Sequence, residues 1–191
     1  RAAEAAGADA IAAQGMEAGG HRGCFDARSA EAQQVGLFAL LPAVVDAVRL
    51  PVVATGGIAD ARGVAAAFAL GASAVQVGTG FLRTPEAGLP TAWADALART
   101  APEDTQLTRA FSGRAGRSIA TAYVQAAAAP GAPAPGPYPV QRGLTAALRQ
   151  QGTADGDVQR MQAWAGQSAA LAQARSAALT VAALAAGVPR V

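Results

Sequence analysis

Short apolar runs alternate with helical patterns along the first half of the chain. The three runs are residues 10–13, 52–54 and 74–77. Short buried runs of this kind are typical of parallel strands. Between them, apolar residues recur at helical spacing over residues 35–48 and again over residues 64–70. The alternation of strand and helix predicts βαβ units with right-handed crossovers, and therefore a parallel sheet that is either open or closed into a barrel.

Two features refine the helices of this half. Pro42 lies inside the first helical pattern, so we expect a break there, with the main helix starting afresh near Pro42 as a first-turn proline. Asp60 precedes the second pattern and is well placed to cap that helix, which we expect to stop at Gly71.

The pattern changes after Arg83. Residues 91–100 predict an amphipathic helix, and residues 126–139 form a Pro, Ala and Gly stretch without apolar periodicity, which is typical of an extended connection. Helical patterning then resumes. We therefore predict a main α/β domain over residues 1–125, a connection over 126–139, and a helical segment over 140–191 that packs on the main domain. Arg114 and Arg117 could reach an anionic ligand or meet solvent, and of the two we expect solvent.

A glycine-rich stretch follows the first predicted strand and contains the only histidine of the chain. It reads Gln-Gly-Met-Glu-Ala-Gly-Gly-His-Arg-Gly over residues 14–23. Loops at the carboxyl ends of strands carry the active sites of α/β folds, and glycine lets such a backbone approach a ligand. His21, whose unperturbed pKa lies near neutrality, is the natural candidate for moving a proton. The alternative is a tight turn with an ordinary hydrogen-bonded histidine.

Glycine turns also follow the next two strands, at Gly56-Gly57 and at Gly78-Thr79. Backbone N–H groups at such turns can hold a phosphate. In (β/α)₈ barrels a phosphate site often lies between the loops after strands 7 and 8, and on that interpretation residues 10–13 form strand 6. Neither turn fits the dinucleotide-binding fingerprint or a P-loop. The alternative is that these glycines serve only the turns and helix packing.

Composition narrows the class of protein. The 191 residues are 52% hydrophobic, enough for one main core, and the 15 basic residues, all arginine, exceed the acidic ones by only 2. No arginine cluster is interleaved with aromatics, so we expect no nucleic-acid partner. Cys24 stands alone, which excludes an internal disulfide and fits a reducing compartment. Neither a signal peptide nor a membrane span is visible, and we expect a cytoplasmic protein without membrane contact.

In their order and spacing these motifs resemble the nitronate monooxygenase family, the 2-nitropropane dioxygenase-like flavoproteins. The resemblance is densest at residues 14–23, 54–60, 76–79 and 111–114, and residues 137–139 and 164–167 look like the family's C-terminal motifs. It implies an α/β fold in which this chain is the C-terminal part, strands 6–8 with their helices, of an FMN-binding (β/α)₈ TIM barrel, plus a small C-terminal helical segment. Arg1 stands in the middle of a helical pattern, which also suggests a fragment.

The resemblance implies roles for single residues as well. His21 matches the active-site histidine, which acts as a base toward a neutral nitroalkane or orients the nitronate. Glu17 matches a residue that supports the loop, and no metal is expected. The positions implied to bind FMN are Gln14, Gly19, Gly20, Gly56, Gly57, Gln76, Val77, Gly78 and Thr79.

The implied activity is an FMN-dependent oxidation of alkyl nitronates by dioxygen to carbonyl compounds and nitrite. A small-molecule nitronate and dioxygen are then the expected partners, and a homodimer is left open. One alternative is an NAD(P)H-dependent reductase on the same barrel, acting on quinones or enoyl-acyl-carrier-protein. Another is a truncated remnant that only binds a phosphate or flavin. Because strands 1–5 of such a barrel are missing here, we expect the isolated fragment to bind FMN weakly or not at all.

Overall fold

A computed structural model of the chain describes residues 1–190. It combines two small sheets with helices, which agrees with the predicted mixed α/β class. The strands are β1 (Ile11–Gln14), β2 (Gly20–His21), β3 (Val52–Thr55), β4 (Ala74–Gln76), β5 (Thr105–Thr108) and β6 (Gly116–Ile119). The helices are α1 (Ala2–Ala5), α2 (Leu37–Val45), α3 (Ala61–Ala69), α4 (Thr91–Arg99), α5 (Ala122–Ala128), α6 (Val140–Leu144), α7 (Ala146–Ala154) and α8 (Ala177–Ala185).

The first sheet is parallel, in the order β1-β3-β4, with α2 and α3 connecting its strands. This is the βαβ arrangement that the apolar runs predicted. Its register places Gln14 opposite Thr55, and Thr55 opposite Gln76. The carboxyl ends of the three strands therefore lie side by side, and the glycine turns that follow them meet at one edge of the sheet.

The core of this half lies between the parallel sheet and helices α2 and α3. Ala54, Leu41 and Val64 are fully buried in it, and Leu184 of α8 packs against the same cluster. Asp60 caps α3 as predicted, because its carboxylate accepts hydrogen bonds from the backbone N–H groups of Arg62 and Gly63. The apolar spacing of the sequence thus corresponds to one continuous buried face.

Helix α2 differs from the prediction at Pro42, where it continues without a break. A proline at this position removes only the backbone hydrogen bond to the carbonyl of Phe38, four residues earlier. The Phe38 side chain is 74% exposed, so this turn of the helix faces solvent. The missing hydrogen bond therefore lies in a turn that faces solvent, and the helix continues through the proline.

The second sheet is antiparallel, in the order β2-β6-β5, and no pattern in the sequence predicted it. Strand β2 consists of Gly20 and His21, which pair with Arg117 and Gly116 of β6. The glycine-rich stretch therefore ends in a strand. Two residues are too few for a periodic pattern, so only the tertiary structure could reveal this strand.

The second half of the chain packs against the first half. Helix α5 extends to Ala128, into the stretch that we predicted as a connection, and irregular backbone follows up to α6. The division into segments at residues 126–139 stays a prediction. Among residues 1–190, no helix combines the length and the apolar character that a membrane crossing requires.

Candidate active site

A cleft opens at the edge of the parallel sheet where the three glycine turns meet. Of the residues predicted to bind FMN, those that line it are Gln14, Gly19, Gly56, Gly57, Gln76, Gly78 and Thr79. Gly20 and Val77 are not among the lining residues. Gly20 lies in β2, and Val77 packs against the apolar core beside Phe81. The structure therefore brings most of the predicted set together and separates two members from it.

The turn after β3 requires glycine. Gly56 and Gly57 have φ angles of +111° and +72°, in the left-handed region that side chains other than glycine rarely adopt. A Cβ on Gly56 would lie 3.1 Å from the backbone nitrogen of Ala18. The turn therefore brings two loops into close backbone contact at the floor of the cleft.

The cleft presents hydrogen-bond donors and almost no charge. Within residues 1–190, the backbone N–H groups of Gly57, Ile58, Thr79 and Gly80 make no hydrogen bond. Glu17 is the one ionisable residue of the lining, and its carboxylate already accepts from the N–H of Leu37 at the start of α2, at 2.9 and 3.1 Å. An anion in this cleft would therefore be held by backbone N–H groups rather than by a cationic side chain.

Residues 164–168, which come from the C-terminal part of the chain, form hydrogen bonds with the turns that follow β1, β3 and β4. The N–H of Gly166 donates to Thr79 Oγ1 at 3.0 Å, and the N–H of Gln167 donates to the carbonyl of Glu17 at 2.9 Å. Ser168 Oγ donates to the carbonyl of Gly57 at 2.6 Å. The sequence assigns residues 164–167 no role beyond a motif; in the structure, Gly166 and the neighbouring Ser168 line the cleft.

His21 lies beside the cleft, connected to it through Gln14. Gln14 Nε2 donates to the carbonyl of His21 at 3.1 Å, and Gln14 Oε1 accepts from the N–H of Gly23 at 2.8 Å. The imidazole itself contacts three side chains that the sequence analysis did not assign to the site. Its Nε2 lies 2.7 Å from Ser112 Oγ, and its ring centroid lies 5.1 Å from that of Trp164 and 5.8 Å from that of Tyr138.

Burial and positive charge keep His21 neutral. Desolvation, followed by the charges of Arg114 and Arg142, lowers the pKa of His21 below its usual value of 6.5. A neutral imidazole at pH 7 can accept a proton, as a general base must. The electrostatics of the site thus agree with the role that the resemblance implies for His21.

Arg117 contradicts the expectation that the arginines of its segment face solvent. Its side chain is 6% exposed, with Nε donating to the carbonyl of Met16 at 2.8 Å and Nη1 donating to Thr105 Oγ1 at 3.0 Å. Arg22 is equally buried, and its Nη2 donates to the carbonyl of Gln14 at 3.1 Å. Burial lowers the pKa of both guanidinium groups. Both arginines therefore stabilise the backbone of the glycine-rich stretch by hydrogen bonds to its carbonyl groups.

Comparison with known proteins gives a consistent result. The family model described as nitronate monooxygenase matches residues 1–187. Nitronate monooxygenase from Paraburkholderia phytofirmans is 45% identical over 181 residues, which are 95% of this chain and 49% of that protein. Nitronate monooxygenase from Pseudomonas aeruginosa is 46% identical over 175 residues, or 92% of this chain and 50% of that protein. The chain thus spans about half the length of the curated relatives it matches.

Solved structures show the same likeness in three dimensions. A nitroalkane oxidase from Streptomyces ansochromogenes superimposes with a TM-score of 0.87 at 44% identity, covering 97% of this chain and 53% of that one. FabK from Thermotoga maritima superimposes with a TM-score of 0.75 at 33% identity, covering 96% of this chain and 55% of that one.

Proposed function

The chain belongs to the nitronate monooxygenase family, and from this premise we propose that it forms strands 6–8 of an FMN-binding (β/α)₈ barrel. The parallel sheet β1-β3-β4 would be those three strands. The whole protein would use FMN and dioxygen to oxidise alkyl nitronates to carbonyl compounds and nitrite. The observation that carries the proposal is the cleft at the three strand ends, with its free N–H groups and with a neutral histidine beside it.

The donors of the cleft fit the phosphate of FMN. The N–H groups of Gly57, Ile58, Thr79 and Gly80 are free within residues 1–190 and come from two neighbouring turns. Such donors favour an anion, and the left-handed glycine turn allows it a close approach to the backbone. Gly57 and Thr79 would therefore hold the phosphate.

The remaining lining residues fit the polar parts of the cofactor. Gln14 and Gln76 end β1 and β4 at the same edge of the sheet and line the cleft. The amide of Gln76 would face the polar chain of the cofactor, whereas the amide of Gln14, which is bonded to the backbone of His21 and Gly23, would hold the loop beside it. The flavin supplies the redox chemistry between nitronate and dioxygen, while the protein orients both partners.

His21 would take the proton from the carbon beside the nitro group of a neutral nitroalkane. Its lowered pKa leaves it neutral at pH 7, and its place next to Gln14 brings it close to the proposed flavin site. A preformed nitronate has already lost that proton, so a base is not needed for it. His21→Asn should therefore reduce turnover of the nitroalkane more than turnover of the nitronate.

The decisive experiment follows the visible absorbance of the whole FMN-loaded protein, of which this chain would supply strands 6–8, without oxygen. Nitronate and NAD(P)H are added separately. Reduction by nitronate alone supports the proposal. Reduction by NAD(P)H alone would assign the protein to the reductases, and failure to bind flavin after reconstitution would favour the phosphate-binding remnant.

A matched pair of variants tests the assignment of the phosphate turn. Gly57 and Gly156 have φ angles of +72° and +65°, so alanine strains the backbone to a similar extent at both. Gly57 lies in the cleft, whereas Gly156 is exposed with no atom within 4 Å of an added Cβ. Gly57→Ala should weaken FMN binding and Gly156→Ala should not, as measured by flavin fluorescence titration. Equal FMN affinity in the two variants would contradict the assignment.

A further inference from the structure

One ring nitrogen of His21 makes a hydrogen bond within the protein, and the other makes none among the described residues. Nε2 lies 2.7 Å from Ser112 Oγ, whereas Nδ1 makes no hydrogen bond within residues 1–190. Nδ1 is therefore the nitrogen that has no partner among the described residues and remains available to accept a proton. To accept a proton there, the neutral ring must carry its own proton on Nε2, and Nε2–H then needs an acceptor.

The surroundings of Ser112 favour its hydroxyl as that acceptor. Ser112 Oγ lies 3.2 Å from the carbonyl of Arg114 and 3.3 Å from the backbone nitrogen of Arg114. If the hydroxyl donates to that carbonyl, its lone pairs accept from the Arg114 N–H and from His21 Nε2–H, and all three contacts are used. If it donated to Nε2 instead, the Arg114 carbonyl would lose this donor, which costs free energy in a buried place. Ser112 is 1% exposed, so water does not reach its hydroxyl.

We propose that Ser112 is a positioning residue that holds His21 in the Nε2–H tautomer, so that Nδ1 is the atom that takes the substrate proton. The reaction named here rests on the proposed function, but the tautomer does not. The rings of Trp164 and Tyr138 pack against the imidazole at interplanar angles of 64° and 83° and limit its rotation.

The charges around His21 oppose protonation, which leaves the neutral tautomer as the resting state. Arg114 approaches from the β5–β6 connection and Arg142 from α6, and the phenol of Tyr138 precedes α6. In the imidazolium form, Nε2–H would still donate to Ser112. Removal of the hydroxyl should therefore lower the pKa of His21 further and also release the tautomer preference.

Nitrogen NMR of the full chain labelled with ¹⁵N-histidine tests the tautomer directly. His21 is the only histidine, so the spectrum reports one residue, and His21→Asn confirms the assignment. We expect Nε2 to be protonated in the neutral form of the wild type and Ser112→Ala to mix the tautomers. Ser112→Thr, which keeps a hydroxyl, should restore the Nε2–H form. A neutral wild type protonated on Nδ1 would overturn the proposal, whether or not the variants fold.

Ser118→Ala is the matched control. Ser118 is also fully buried, and its hydroxyl donates to the carbonyl of Ala163 at 2.9 Å without touching His21. Loss of this hydrogen bond should cost stability comparable to that lost in Ser112→Ala while leaving the His21 signals unchanged. A tautomer change in Ser118→Ala as large as that in Ser112→Ala would show a general structural effect and refute the positioning role.

Kinetics of the FMN-loaded protein provide the second readout. Loss of the hydrogen-bond partner of a metal-ligating histidine costs about 10–100-fold in affinity or activity, and we take the same range for this histidine. We expect kcat/KM to fall by about this factor for neutral nitroalkane in Ser112→Ala and to change little for nitronate. Equal losses on both substrates would argue against the role of Ser112 in proton transfer. If nitronate does not reduce the wild-type flavin, the proposed function fails, and the NMR result still decides the tautomer.

Discussion

Gly19→Ala should destabilise the protein although Gly19 has no unusual backbone angle. A Cβ at this position would lie 2.6 Å from the backbone nitrogen of Gly166 and 2.7 Å from the carbonyl carbon of Ala165. Both neighbours are backbone atoms, so the segment at residues 164–168 must move away. Movement of this segment breaks the hydrogen bonds from Gly166 to Thr79 and from Gln167 to Glu17.

The size of the effect follows from these contacts. Loss of two hydrogen bonds costs about 1–3 kcal/mol, and steric overlap in a packed region costs about 1–3 kcal/mol more. Alanine also restricts the unfolded chain, which offsets about 0.4–1 kcal/mol. The net loss is then about 1–6 kcal/mol, which lowers the unfolding temperature of a chain of this length by about 2–4 °C per kcal/mol.

Gly78→Ala provides the control within the same cleft. Gly78 has a negative φ angle, and an added Cβ would meet no atom within 4 Å. Thermal unfolding of both variants without cofactor should therefore show a marked drop for Gly19→Ala and a change within about 1 kcal/mol for Gly78→Ala. Equal unfolding temperatures for wild type and Gly19→Ala would refute the close contact between the two ends of the chain.

Two further predictions concern the same loop. Glu17→Gln should cost about 0.5–2 kcal/mol of stability in urea unfolding, because the carboxylate accepts from the N–H of Leu37 and offsets the positive end of α2; Glu103→Gln, on an exposed residue, should cost nothing measurable. Because the pKa of His21 is lowered in the folded chain, His21 binds a proton more readily in the unfolded chain. The free energy of unfolding is therefore unaffected by His21 above about pH 6.5, and it decreases as the pH falls from there through the lowered pKa. Urea midpoints from pH 8 to pH 5 should therefore decline more steeply in the wild type than in His21→Gln, and parallel curves would contradict the lowered pKa.

Much of the site could be predicted because its parts are local in sequence. Each glycine turn directly follows an apolar run, and parallel strands bring their carboxyl ends to one edge. Gln14, Gly57 and Thr79 therefore had to lie near one another once the βαβ order was recognised. The role of Asp60 as a helix cap was equally local, since its partners are two and three residues away.

The rest depended on contacts between distant parts of the chain. His21 and Ser112 are 91 residues apart, and the segment at residues 164–168 reaches the glycine turns from the far end of the chain. No periodicity in a short window records such pairs. Arg117 shows the same limit of sequence-based prediction. A charged residue is expected to face solvent unless the buried carbonyl groups that accept its hydrogen bonds are known.

The sequence by itself determined the parallel strands, the helices between them, the glycine turns and the single histidine, because these follow from apolar spacing and from the conformational freedom of glycine. Only the tertiary structure decided which nitrogen of His21 is free, which serine holds the other, and which distant segment lines the cleft. The physical reason is that hydrogen bonds and close packing depend on distances of a few tenths of an ångström between elements. Such distances are set when the whole chain packs, whereas patterns along the chain fix only which residues face the core.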